Sequence, residues 1–100
     1  MRPIYLAPLQ LKTRPVLVLT RLEVIPYLRW VTIAPITSTI RGLATELPVG
    51  PANGLHHPSV VSLDNIATID KELLGRQLGF LAPAEEPRLT AAIHAAFSLV

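Results

Sequence analysis

The chain contains no cysteine. Without thiols there is no disulfide framework to staple a small fold and no thiolate set to hold a structural metal. Charge is also scarce, with 16% of residues charged against 50% hydrophobic. A long apolar run is missing as well. The longest stretch without charge, between Glu46 and Asp64, is interrupted by prolines, glycines, Asn53 and the His56-His57 pair. A membrane-spanning helix needs about 20 predominantly apolar residues in succession. The start, Met1-Arg2-Pro3-Ile4-Tyr5, lacks the apolar segment of a signal peptide. There is no glycine-rich phosphate loop, no Gly-x-Ser-x-Gly elbow and no His-Glu-x-x-His pair. These absences argue against conventional hydrolases, nucleotide-binding enzymes and zinc proteases. They lead us to expect a soluble, cytoplasmic protein with no cofactor and no metal.

What is present is a chain of 100 residues, read as one domain over residues 1–100. Half of it is hydrophobic, which is apolar for so small a protein, so part of its surface is expected to be covered by a partner. Self-association is the simplest form of that partner. The net charge of +2 conceals an asymmetry. Residues 1–41 carry Arg2, Lys12, Arg14, Arg21, Arg29 and Arg41 against Glu23 alone, a net +5, while the remainder is net −3. A basic face built from the first half would suit a polyanion; scattered solvated charge is the plainer alternative.

Along the chain, Ile4–Leu9 reads as a strand entering a turn at Gln10–Thr13. Arg14–Thr20 is a nearly continuous Val/Leu strand, the pattern of a segment buried on both faces. Leu22–Arg29, broken by Pro26, reads as a loop with a helical turn. Val31–Ile36, Ala44–Val49, Ser59–Leu63, Asn65–Ile69 and Arg76–Leu81 are further short strands, and Gly50–Pro58 is a loop. Asp70–Gly75 reads as one helical turn with an aspartate N-cap and a glycine after its end. From Pro83 onward the period changes: Leu89, Ile93, Ala96 and Phe97 recur at helical spacing, with Glu85 and Glu86 in the first turn. Many short strands and one closing helix point to a strongly bent sheet or small barrel, mainly β with a C-terminal helix.

Two segments carry the chemistry. Arg14 precedes Pro15 at the head of a buried strand, and a guanidinium there offers a planar fork suited to phosphate. Thr37, Ser38 and Thr39 follow the Val31–Ile36 strand, where their hydroxyls can donate to phosphate oxygens. Each has an ordinary alternative, an arginine reaching to solvent from a barrel rim and hydroxyls capping the turn into Arg41-Gly42. The adjacent His56 and His57 point apart, and no other His, Cys or well-spaced carboxylate completes a metal-ligand set with them. His94 falls on the C-terminal helix, and Asp64, Asp70, Glu72, Glu85 and Glu86 fall near turns or helix starts, where capping accounts for them.

The order of these parts resembles the MazF (PemK-like) toxins of toxin–antitoxin systems. The matching parts are Arg14–Val18, Pro35–Thr37, Gly54-Leu55, Pro58–Val61, Asp64–Ile69, Leu74–Arg76, Gly79–Leu81 and the terminal helix over 84–99. The resemblance runs along essentially the whole chain. It implies an SH3-like barrel of the CcdB/MazF type, a homodimer and a metal-independent endoribonuclease that inhibits growth by cutting single-stranded RNA. It also implies a MazE-like antitoxin as cognate partner. On the same resemblance Arg14 and Thr37 take the catalytic roles, and Lys12, Thr13, Ser38, Thr39, Arg41, His57 and Asn65 are expected to contact RNA.

The chain departs from the family pattern in three places. Arg2-Pro3 replaces the usual Gly-Asp, the Gln10–Thr13 turn is short where relatives carry a Gly-Ser-Glu loop, and Asn65 replaces a common Gln. A CcdB-like gyrase poison shares the barrel but relies on a C-terminal tail containing Trp, whereas the one tryptophan here is Trp30. An inactive RNA-binding barrel is the remaining alternative.

Overall fold

Two strands joined by only two residues begin the fold. In the computed structural model, which describes residues 1–99, β1 (Arg2–Leu9) and β2 (Lys12–Val18) pair antiparallel from Leu9↔Lys12 to Ile4↔Leu17. Their connection is tighter than the expected Gln10–Thr13 turn. Gln10 (φ 52°) and Leu11 (φ 67°) both occupy the left-handed region, as a two-residue type I′ hairpin requires. Lys12 and Thr13 therefore belong to β2, and the strand ends at Val18 instead of Thr20.

The remaining strands are β3 (Trp30–Thr37), β4 (Glu46–Val49), β5 (Ser59–Ser62), β6 (Ala67–Asp70) and β7 (Gln77–Leu81), and residues Glu86–Phe97 form the helix α1. The antiparallel order is β4-β5-β3-β2-β1-β7, with β6 also paired to β3. Strand β3 is the pivot. Its first half pairs with β6 (Trp30↔Asp70 to Ile33↔Ala67), and its end pairs with β5 (Ile36↔Val61, Thr37↔Val60). That change of partner partway along one strand bends the sheet into a half-barrel.

Several boundaries differ from the sequence reading. Ala44 and Thr45 lie outside β4, and Leu63–Asn65 is a 3-10 turn, so Asn65 precedes β6 instead of opening it. The expected helical turn after Asp70 is the 3-10 segment Lys71–Leu73, and the Asp70 side chain caps it by accepting from the Glu72 N–H at 3.0 Å. Its end does not use a left-handed glycine: Leu74 is extended, and the Gly75 N–H donates to the Leu6 carbonyl at 2.7 Å. Leu22–Tyr27 is a 3-10 helix that contains Pro26, and Pro83–Glu85 is a 3-10 turn leading into α1.

Because side chains alternate along a strand, the sheet has two apolar faces. Ile4, Leu17, Ala34, Ile36, Leu47, Val61, Leu63 and Leu81 form the main core with Leu89 and Ala92 of α1. The helix is further held by Arg2, whose Nε donates to Glu86 Oε2 at 2.9 Å while one terminal nitrogen donates to the Leu19 carbonyl at 2.6 Å. On the opposite face Ala7, Val16, Val18, Val31, Ile33 and Ile69 form a second cluster, with Ile25 of the Leu22–Tyr27 helix packed against it. The barrel closes where Gly54 (φ +91°) crosses Gly79 of β7. A Cβ on Gly54 would strike the Leu78 carbonyl, and one on Gly79 would strike the Asn53 carbonyl. Asn53 secures this crossing: its buried amide donates to the Phe80 carbonyl and to Glu85 Oε1, and its oxygen accepts from the Gly50 N–H. Among the described residues no helix is long and apolar enough to cross a membrane.

Candidate functional site

Arg14 sits in β2 directly across from Ala7, on the face of the sheet that carries the second cluster. Val16 of the same strand pairs with Pro35 of β3, so Arg14 and Thr37 project from neighbouring strands toward one end of that cluster. There they line a cavity of about 500 Å³ with Leu9, Gln10, Pro35, Thr39, Arg41, Leu43, Glu46, Ser62, Asp64, Asn65 and Ala67. The hairpin tip supplies one wall. The loop from Ser38 to Thr45 supplies the opposite one, and the turn after β5 supplies the floor.

Arg14 holds the most telling atom. Its Nε is buried and has no hydrogen-bond partner. A buried donor on a charged group costs about 1–3 kcal/mol or more when left unpaired, and native folds rarely leave one without a reason. Among the described residues Arg14 makes no ion pair, and neither do Arg41 and Lys12. The other three cations of the first half are paired, Arg2 with Glu86, Arg21 with Glu23 and Arg29 with Asp70. The unpaired positive charge of residues 1–41 is thus gathered at the cavity and its hairpin.

The Thr37 hydroxyl takes the turn-capping role. Its Oγ1 accepts from the Thr39 N–H at 3.1 Å, which folds the turn after β3 and leaves the hydroxyl proton available for donation into the cavity. Two carboxylates hold the far wall. Glu46 Oε1 accepts from the backbone N–H groups of Arg41 (3.1 Å) and Leu43 (3.2 Å), and Asp64 Oδ2 accepts from the Thr45 hydroxyl at 2.6 Å. Asn65 donates to the Ser62 hydroxyl at 2.8 Å, which leaves its own carbonyl oxygen unengaged.

Of the residues singled out from the sequence, the fold brings Arg14, Thr37, Thr39, Arg41 and Asn65 to this cavity. Lys12 and Thr13 stand on the hairpin beside it, and Ser38 lies on the loop between Thr37 and Thr39, but these three do not line it. His57 lies elsewhere. With His56, Arg76, Leu6, Pro15, Leu55 and Leu78 it borders a separate groove of about 230 Å³. Pro15 and Arg14 are consecutive strand residues and face opposite sides of the sheet, so that groove opens away from Arg14. Glu46, Asp64, Gln10 and Ser62 are cavity residues that the sequence reading did not single out as site residues. Glu46 arrives through the register Glu46↔Ser62, a pairing with no local sequence signal. No group of three or more His, Asp or Glu side chains among the described residues is placed to hold a metal ion.

The geometry has close counterparts. Residues 3–97 match the family described as PemK-like, MazF-like toxin of type II toxin-antitoxin system. Endoribonuclease MazF3 of Mycobacterium tuberculosis is 59% identical over 99 residues, covering 99% of this chain and 95% of the relative. The solved Mycobacterium tuberculosis toxin MazF-mt6 superposes with a TM-score of 0.95 at 57% identity over 99% of both chains. A mycobacterial endoribonuclease solved in complex with its cognate antitoxin has a TM-score of 0.86 at 28% identity, covering 98% of this chain and 93% of that one. A half-buried arginine whose Nε is buried without an acceptor, a threonine on the adjacent strand and this breadth of likeness lead to one conclusion: the chain belongs to the PemK-like, MazF-like toxins of type II toxin–antitoxin systems.

Proposed function

We propose that this protein is an endoribonuclease toxin that cuts single-stranded RNA at the Arg14–Thr37 cavity without a metal ion, and is restrained by a MazE-like antitoxin. The observation that carries the reading is the buried, unpartnered Nε of Arg14 beside the Thr37 hydroxyl. The name of a relative that matches over nearly the full length, an endoribonuclease, supports the same chemistry.

In the reaction the ribose 2′-oxygen attacks phosphorus as its proton leaves. A 2′-O–P bond forms, the P–O5′ bond breaks and the departing 5′-oxygen takes up a proton. The products are a 2′,3′-cyclic phosphate and a 5′-hydroxyl. Charge accumulates on the non-bridging oxygens in the transition state. The Arg14 guanidinium, already desolvated at Nε, meets that charge with no reorganisation, and one such preorganised donor is worth about 2.7–4 kcal/mol. The Thr37 hydroxyl, fixed by the Thr39 N–H, donates to a neighbouring oxygen. Thr39, Arg41 and Asn65 contact the flanking nucleotides, and Lys12, Thr13 and Ser38 lie along the approach. His57, on the other face, belongs to the path of a longer RNA.

The protein works as a single domain in the cytoplasm and as a homodimer, and its unchecked activity inhibits growth. The antitoxin docks an acidic segment over the unpaired cations at the cavity. A CcdB-like reading fits less well, since Trp30 opens β3 with the Arg29 guanidinium 5.4 Å from its ring centroid and is not on a C-terminal tail.

The test incubates the purified protein with a long mixed-sequence RNA in EDTA and maps the new ends. Cleavage is expected with cyclic-phosphate and 5′-hydroxyl termini. DNA, which lacks the 2′-hydroxyl, and duplex RNA, whose bases stay stacked, should resist. Arg14→Ala is expected to lose two to three orders of magnitude in rate, as roughly 10²–10³ is typical of removing one such donor. Arg14→Lys should recover little, since an ammonium cannot reproduce the guanidinium fork. Full activity in Arg14→Ala, or cleavage that appears only with added Mg²⁺, would overturn the reading.

A further inference from the structure

A carboxylate is an odd lining for a cavity that receives phosphate, and Glu46 is there beside Arg14 and Arg41. Only one of its oxygens is used. Oε1 accepts two backbone N–H bonds, from Arg41 and Leu43, which bind the Ser38–Thr45 loop against the cavity. Oε2 takes no hydrogen bond from any described residue, and Glu46 forms no ion pair among them. The side chain is half-buried, and its backbone is fixed at the start of β4 by the Glu46↔Ser62 pairing and by the bond from its own N–H to the Leu43 carbonyl.

A negative acceptor held this firmly repels phosphate and accepts from N–H donors. In single-stranded RNA the donors on offer are base edges, and among these the exocyclic amines suit a carboxylate best, as when Glu or Asp accepts from the N4 amine of cytosine. We infer that Glu46 is a specificity-determining residue: through Oε1 it positions the loop that carries Thr39 and Arg41, and through Oε2 it accepts from the exocyclic amine of a nucleobase next to the scissile phosphate. Cytosine and uracil form the cleanest contrast, because the 4-position is an amine in one and a carbonyl in the other. The inference rests on the cavity being the RNA site.

Glu46→Gln separates the two roles. The amide oxygen can still accept from the Arg41 and Leu43 N–H groups, while the amide nitrogen turns the free position from acceptor to donor. Binding of uncleavable 2′-O-methyl oligocytidine and oligouridine is measured for wild type, Glu46→Gln and Glu46→Ala, with thermal melting alongside. Wild type is expected to favour oligocytidine roughly tenfold or more, the lower end of what one good base contact provides. Glu46→Gln should melt like wild type and lose or reverse that preference. Glu46→Ala should bind both oligomers more weakly, with no preference. Cleavage-site mapping on a mixed-sequence RNA should show the same change at one position.

An unaltered cytosine preference in Glu46→Gln would overturn the inference. So would a uniform fall in kcat at every site with loss of the acidic limb of the pH–rate profile, which would make Glu46 a proton acceptor. Failure of wild type to cleave RNA strikes instead at the proposed activity, since the binding contrast is read without cleavage.

Discussion

At the scale of single residues the decisive fact is a missing partner. Arg14 could have been a rim arginine reaching for water, and its sequence neighbours do not distinguish the two cases. Burial of its Nε without an acceptor among the described residues favours the phosphate-facing reading. Thr37 shows a similar resolution, because capping a turn and serving a substrate draw on different parts of one hydroxyl. The oxygen accepts from the Thr39 N–H and the proton remains free. Thr37→Ser should therefore keep most of the cleavage rate. Thr37→Val, matched in shape but without the hydroxyl, should lose about tenfold or more, in line with roughly 1–3 kcal/mol for a buried hydrogen bond left unmade. Initial-rate measurements on one RNA decide it, and equal rates for the two variants would remove Thr37 from the chemistry. Arg14 and Thr37 stood out in the sequence because each borders a strongly patterned strand, and the fold brings both to one cavity. Glu46 was not, because its place depends on the β4–β5 register, which arises from the bend in β3.

At the scale of elements, β3, with its dense β-branched character, was legible to within about two residues, and so was β7. The misses share a cause. At Asn65–Ile69 and Ala44–Val49, short-range alternation was read as strand where a 3-10 turn and a loop stand instead, tied together by the bond from the Leu63 N–H to the Thr45 carbonyl. The Gly54–Gly79 crossing lay beyond sequence reasoning, since Gly79 is needed only because the Asn53–Gly54 segment is there, and Gly54 also for its own left-handed backbone. Gly79→Ala should cost about 3 kcal/mol, more than an ordinary overpacking substitution, because the obstacle is the Asn53 backbone carbonyl and not a movable side chain. Denaturant unfolding measures it, and a loss under about 1 kcal/mol would mean the crossing can open cheaply. The turn after β6 adds a pH dependence. The Glu72 N–H, aided against partial burial by the Arg29 guanidinium, holds the Asp70 carboxyl below its ordinary value of 3.8. A carboxylate whose folded pKa is depressed stabilises the fold above its unfolded pKa and loses that contribution as pH falls through the folded one. Wild type should therefore lose stability below about pH 3.8, and Asp70→Asn should flatten that part of the curve. Parallel curves for the two proteins would show the cap to be without effect.

At the scale of the whole molecule, apolar side chains remain in contact with solvent at several places: Leu11 at the hairpin tip is fully exposed, Tyr27 is 87% exposed, and Trp30 and Phe97 are about half exposed (54% and 51%). Surface of this kind on a chain of 100 residues fits a second copy as partner. Light scattering at micromolar concentration is expected to return about twice the 10.9 kDa chain mass, and a single-chain mass there would remove the homodimer. The mainly β fold with its closing helix was legible from the change of period near Pro83. The half-barrel's closure was not, because it joins residues far apart along the chain.

That closure has a consequence in time. The first strand to leave the ribosome, β1, takes its second partner from residues 77–81, and Arg2 waits for Glu86. Arg14 and Thr37 are made before that partner, so the sheet that holds them closes only after residues 77–81 have been added. Long-range pairings of this kind are slow to form. During synthesis β1 therefore presents an open edge until β7 arrives, a row of unpaired N–H and C=O groups that invites pairing with a strand of another chain.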